Sequence, residues 1–260
     1  MTLCAIGGDS LICENDELKI YRGEDFVISE HIIIHQPTLD EICSYGEKEY
    51  YFMVHQLTAT PQSMKWQLWD IGIDYTKITP FELFYTILYK LYPQNKTSII
   101  FGDLDFMKFK LFRHRENDSL ALCQIINNNE VIIDEFTYTL IMDYLRKIHY
   151  IDKDEKMPAN ESTKMALIED DRENYERNKT KEYHSYLKNL ISTMINSSGF
   201  KYNHSQVWDM KINAFMDSVK RITKIKNVDL LLQSGYSGYG IDLSKIKNKK
   251  EQLDWFGELD

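Results

Sequence analysis

The chain has 260 residues, 43% of them hydrophobic and 27% charged, with a formal net charge of −9 at pH 7. This length can bury a core without disulfide or metal staples, and 11 Gly with 5 Pro exclude collagen-like and Gly/Pro-rich disordered classes. No run of about 18 apolar residues marks a membrane span, and the opening MTLCAIGGDSLICENDELK lacks the basic and long apolar regions of a secretory signal.

Taken in chain order, the first half reads as mixed α and β. Leu18–Ile20 with Tyr21, and Phe26–Ile28, are expected as two short strands around Arg22-Gly23-Glu24-Asp25. His31–His35 is a β-branched strand signal. Pro37 opens a short helix over Thr38–Tyr45, with Asp40 and Glu41 in its first turn and Gly46 at its end. Tyr50–Thr58 is an apolar segment of open type, and Gln62–Trp69 is expected to be helical after Pro61. Thr79-Pro80-Phe81-Glu82 is a capping box with Pro at N1, predicting a helix from Pro80 to about Tyr92. Ser98–Leu111 reads as strand, turn, strand, broken at Gly102-Asp103. Two strands follow, Leu120–Ile126 and Glu130–Ile133, joined by an all-Asn turn; Asp134 then caps a helix to about Tyr150.

Residues 151–182 change character. DKDEKMPANES is loop-like, and Thr163–Lys181 is a helix polar nearly all round, the pattern of a solvated or bridging helix. Beyond it, Tyr183, Tyr186, Leu187, Leu190, Ile191, Met194 and Ile195 form one apolar stripe. Trp208, Ile212, Phe215, Val219 and Ile222 form a short heptad-like seam. Ser234–Gly240 reads as a flexible Gly/aromatic joint, after which the apolar-acidic tail either packs on its own domain or serves as a docking peptide. The expected class is therefore α+β: a mixed body over 1–152, a charged connector over 153–182, and a helical region over 183–260.

Charge is distributed unevenly. Residues 1–150 carry 13 Lys+Arg against 22 Asp+Glu, residues 201–250 carry 10 against 4, and the last ten residues carry four acids and no base. A basic segment within an acidic chain is either a solvated helix face or a docking face for an acidic partner. The overall acidic balance argues against a dedicated nucleic-acid-binding protein. Cys4, Cys13, Cys43 and Cys123 form no C-x-x-C, so free thiols in a reducing compartment are expected, with Cys43 and Cys123 as small core residues.

Candidate chemistry is sparse. Asp103 and Asp105 form a D-x-D that could face one way on a strand and bind a divalent cation, but so short a motif is better read as a solvated turn. His31 and His35 would lie roughly 13 Å apart on a strand, too far to share a small ion. The Gly-rich loop at 234–240 lacks the Lys-Ser/Thr of a phosphate-binding loop, and no nucleophile-elbow, zincin or kinase signature is present. A pattern G-I-D-x-[ST]-K-I occurs twice, at Gly72–Ile78 and Gly240–Ile246, and is read as shared turn chemistry. No catalytic, metal or cofactor residue is therefore expected, and the chain is expected not to be an enzyme. The surface chemistry points instead to a partner docking on Lys211, Lys220, Arg221 and Lys224, with Tyr236, Tyr239, Trp255 and Phe256 beyond and around the joint.

The block VWDMKINAFMDSVKRITKIKNVDLLLQSGYSGYGIDLSKIKNKKEQLDWFGELD, with QLWDIGIDYTKITPFELF and IIFGDLDF, resembles a family of uncharacterised proteins of tailed phages and prophages from low-GC Gram-positive hosts. The resemblance implies a role in virion morphogenesis near the tail genes. It suggests an assembly chaperone that binds a tape-measure or tail-tube protein in the host cytoplasm, or else a minor structural protein of the tail, neck or baseplate retained in the virion. Self-association is a further partner that it leaves open, and a nucleic-acid-binding phage protein is the remaining alternative.

Overall fold

The computed structural model describes residues 14–113, 118–237, 240, 242, 245–255, 257 and 259. It is α+β: two small antiparallel sheets set among helices, with a helical C-terminal part. The first described element is α1 (Glu14–Arg22), a helix where Leu18–Tyr21 were expected to be a strand. Gly23 sits at φ 77, so the Gly23 and Glu24 amides donate back to the Ile20 and Lys19 carbonyls at 3.0 Å each. This Schellman ending closes the helix without steric penalty. Ile20 is buried while Leu18 and Tyr21 are exposed, so the apolar residues that imitated a strand do not share a face.

A hairpin of β1 (Phe26–Ser29) and β2 (Ile32–Ile34) follows, pairing Phe26 with Ile34 and Val27 with Ile33. Thr38 and Glu41 close a capping box on α2 (Leu39–Tyr45), which ends at Gly46 (φ 102), where α3 (Glu47–Leu57) starts. Cys43 lies on the exposed side of α2, contrary to the expected core position, because Leu39 and Ile42 are the residues that α2 buries; Cys123 is half-buried. Pro61–Met64 form a 3-10 turn leading into α4 (Lys65–Asp70).

The Thr79–Glu82 capping box forms as its spacing predicts, Thr79 Oγ1 accepting from the Glu82 amide at 3.1 Å and Glu82 Oε2 accepting from the Thr79 amide at 2.7 Å. The helix it starts, α5 (Pro80–Thr86), is shorter than expected. Ile87 leaves helical geometry at φ −126, and a 3-10 turn at Leu88–Lys90 buries Leu88 and Tyr89 instead. Ser98–Phe101, expected as strand, belong to α6 (Gln94–Phe101). Thr97, Ile100 and Phe101 are buried at i, i+3, i+4, and Gln94 Nε2 closes the far end by donating to the Gly102 carbonyl at 2.8 Å. Burial of one helical face has overridden the β-preference of Ile99-Ile100.

The second sheet has the order β3 (Lys110–Arg113), β4 (Leu120–Ile126), β5 (Asn129–Ile133). Asn127 and Asn128 turn between β4 and β5 at φ 51 and 67, the left-handed pair that a two-residue hairpin needs and Asn tolerates. Asp134 then caps α7 (Glu135–His149), accepting from the Thr137 amide at 2.8 Å.

The polar helix α8 (Glu161–Asn178) lies along α4, fastened by charge. Lys164 Nζ reaches Asp74 at 2.9 Å, Lys65 faces Asp171 at 3.6 Å, Arg172 pairs with Asp70, and the Trp66 and Tyr175 rings meet at 5.0 Å. Asp74 belongs to the first G-I-D-x-[ST]-K-I turn. Burial alone would raise its pKa, but hydrogen bonds from Lys164 and Thr76 outweigh this and pull it down to about 2. Next come α9 (Tyr186–Ile195), α10 (Ile212–Tyr236) and α11 (Lys249–Leu253). Trp208 of the expected seam stands on a 3-10 turn before α10. Ser234–Tyr236, expected to open the flexible joint, form the last turn of α10, because a single Gly235 costs a helix about 1 kcal/mol and does not break it. Among the described residues, no helix is long and apolar enough to cross a membrane.

One contiguous core runs from Ile20 to Met216, with α7 inside it. His149 at the end of α7 is 6% exposed and hydrogen-bonded through both ring nitrogens. Nδ1 lies 2.7 Å from the Leu145 carbonyl, which can accept but not donate, so Nδ1 carries the proton. Nε2 is then bare and accepts from the Tyr50 hydroxyl at 2.6 Å. Burial lowers the His149 pKa to about 4 despite the Leu145 bond. The unfolded imidazole titrates near 6.5, so below that pH the unfolded chain takes up a proton that the folded one refuses. This contribution is whole above pH 6.5 and drains as pH falls to 4, by about 3 kcal/mol. Urea titrations from pH 7 to 4 should show it, and a His149→Phe variant, less stable at pH 7, should lose about one proton from the slope.

Candidate docking site on the C-terminal helix

The 25 residues of α10 make a rod roughly 37 Å long. Its base is held by backbone bonds: the Ile212 amide donates to the Pro37 carbonyl and the Leu39 amide to the Met210 carbonyl, each at 3.0 Å, bridging Thr38 and Lys211. Ile212, Asn213, Phe215 and Met216 are buried in the first turns, and Val228 further along. Between them, one face of the helix (Val219, Lys220, Thr223, Lys224, Asn227, Leu231) forms a wall of a cleft of about 920 Å³. The chain's own tail makes the opposite wall, with Asn248, Glu251, Gln252, Asp254, Gly257 and Leu259. The spacing i, i+1, i+4, i+5, i+8, i+12 puts all six helix residues on one side.

Arg221 is the fastening. Its Nη1 donates to the carbonyls of Trp255 and Gly257, both at 2.8 Å. The tail turn is itself closed by Asp254, whose Oδ1 accepts the Gly257 amide at 3.1 Å. Arg221 also stabilises the Asp217 carboxylate against the burial that raises its pKa. Asp217 in turn accepts from the Tyr150 hydroxyl at 3.5 Å, and burial with the nearby Asp217 charge pushes that phenol up to about 12. Lys220 Nζ stands 4.5 Å from the centroid of the same Tyr150 ring. A chain of contacts thus runs from the end of α7 through Tyr150, Asp217 and Arg221 to the tail backbone.

The residues singled out from sequence separate into three groups. Arg221 and Trp255 meet directly, and Lys220 and Lys224 line the cleft they close. Lys211 is at the base of α10, where its stem lies against Gly23 so closely that a Cβ there would meet Lys211 Cγ at 2.5 Å. Tyr236 is 82% exposed at the far end of the rod. Tyr239 and Phe256 lie outside the described residues. Sequence reading missed Tyr150 and Asp217; the i, i+4 spacing of Asp217 and Arg221 was the available signal for the second.

The other candidates take ordinary local roles. Asp105 caps a 3-10 turn, accepting from the Met107 amide at 3.0 Å and facing Lys108 at 3.4 Å. His35 Nδ1 is 2.9 Å from Asp25, and His31 Nε2 is 3.3 Å from Asn129 Nδ2. Among the described residues, no group of three or more His, Cys, Asp or Glu side chains could hold a metal ion.

Residues 177–260 match the family model of the YomV second domain. The family is of phage and prophage type, consistent with a phage origin. The matched segment takes in α9, α10, α11 and the whole Arg221 fastening. No curated protein and no solved structure matches the chain.

Replacing Arg221 by Ala should free the tail while leaving the base of α10 intact. Hydrogen exchange should then rise at the amides of 251–257 by about tenfold or more and stay unchanged at 212–216.

Proposed function

We propose that the protein is a non-enzymatic bacteriophage tail-morphogenesis protein that binds another tail protein in the manner of an assembly chaperone, with the α10 cleft as its docking face. The observation that carries this reading is the coincidence of the phage-type family match with the segment that holds a tail against a long helix through one arginine. Two hydrogen bonds from one arginine to backbone carbonyls are made without regard to side-chain identity, so a partner segment can replace the tail at little cost. The cleft favours a polypeptide over nucleic acid, because Lys211, Lys220 and Arg221 are turned toward groups of the chain itself.

The affinity-tagged chain, purified from phage-producing cells, should retain the tape-measure or tail-tube protein in stoichiometric amount. Recovery of the chain alone would overturn the reading. Mass spectrometry of purified particles should find the chain absent; its presence there would instead make it a structural component of the virion.

A further inference from the structure

A second cleft, of about 800 Å³, opens between the end of α3, the segment after α7 and the entry to α9. Five aromatic rings line it: Tyr51 and Phe52 from α3, Tyr150 just after α7, which Lys220 already covers, and Tyr183 and Tyr186 at the entry to α9. Phe52, Tyr183 and Tyr186 are 59%, 48% and 54% exposed, so these rings are not consumed by the chain's own core. Asp152 and Asp154 supply the carboxylates. Asp154 is fixed in place, its carbonyl accepting from Thr60 Oγ1 at 2.8 Å and its Oδ1 from the Lys156 amide at 3.2 Å. No Lys or Arg occurs among the described residues that line the cleft. Its two histidines add no positive charge at neutral pH: burial lowers both His55 and His149.

Aromatic faces with carboxylates, and no Lys or Arg among the described lining residues, form a receptor for a cation. The chain itself displays the attraction, since Lys48 Nζ stands 5.9 Å from the Tyr183 centroid, at the edge of cation–π range. We infer that this cleft binds an arginine side chain presented by a partner polypeptide. A flat guanidinium stacks on tyrosine rings and forks onto carboxylates, which a compact ammonium does less well. The volume admits a side chain with its flanking backbone, and the carboxylates exclude phosphate-bearing ligands. Residues 1–150, with 13 Lys+Arg against 22 Asp+Glu, add a long-range pull on a basic partner. This inference uses neither Arg221 nor the tail as ligand groups, though Tyr150 and Met216 place the cleft next to α10.

The test is an NMR titration of the full chain with three blocked tripeptides, glycine-arginine-glycine and its lysine and citrulline counterparts. The arginine peptide should shift the ring signals of Tyr51, Tyr183 and Tyr186 in a saturable way. The lysine peptide should bind about threefold or more weakly, and neutral citrulline, which keeps the shape, should not bind. Asp152→Asn combined with Asp154→Asn should weaken arginine binding about tenfold with the circular dichroism unchanged. Equal responses to arginine and citrulline, undiminished binding by the double Asn variant, or no shift at these rings would each overturn the inference.

Discussion

Helix α7 is buried over most of its surface yet carries polar side chains into the core, and the partners they find fix the arrangement around it. Tyr144 accepts from Gln36, which also donates to the Ile20 carbonyl beside it at 2.8 Å. Arg146 donates to the Thr58 carbonyl at 2.7 Å and pairs with Asp143 at 3.2 Å. His149 accepts from the Tyr50 hydroxyl, and Tyr150, just beyond the helix, donates to Asp217. The contacts reach the segment after β2, the end of α3, its middle, and α10. A buried polar group left without its partner costs about 1–3 kcal/mol, so a misplaced neighbour is penalised more than a loosely packed apolar one. The polar edge of α7 therefore sets orientation while its apolar residues supply the bulk of the burial.

How much of this was legible depended on distance along the chain. The capping box at Thr79, the all-Asn turn and the Asp134 cap were readable, because each is a contact over three or four residues whose geometry the sequence contains outright. Leu18–Tyr21 and Ser98–Phe101 were read as strands because short apolar runs carry no period; their helicity is settled by Gly23 and Gln94 at one end and by burial against distant segments. Arg221 was recognisable as a surface cation, but its partners are carbonyls 34 and 36 residues away, which no residue type announces. The aromatic cleft was illegible for the same reason: Tyr51, Asp152 and Tyr183 are joined by the fold alone.

The charge distribution gains a physical sense from the structure. The basic stretch at 201–250 looked like a surface awaiting an acidic ligand. Much of it is instead directed inward along the chain: Lys211 against Gly23, Lys220 over Tyr150, Arg221 into the tail. Likewise the doubly charged helix α8 is polar because its partner α4 and the Asp74 turn present the complementary charges, which allows a helix with few apolar residues to be held at a fixed place. Surface ion pairs of this kind are individually weak, but several in register along one pair of helices fix an angle.

The backbone bridge at the root of α10 has a mechanical consequence. A helix fixed at its root by main-chain bonds and held further out by side-chain contacts with the tail bends about that root. Load applied near Tyr236 generates its largest bending moment at Ile212, where Pro37 and Met210 resist it through bonds that side-chain mutation cannot remove. The contact from Asp217 to Tyr150 sits one and a half turns above that root and acts as a brace against α7. Displacing the tail from Arg221 would leave this brace in place but remove the strut above it, so occupancy of the cleft would be felt as a change in stiffness along the outer half of the rod.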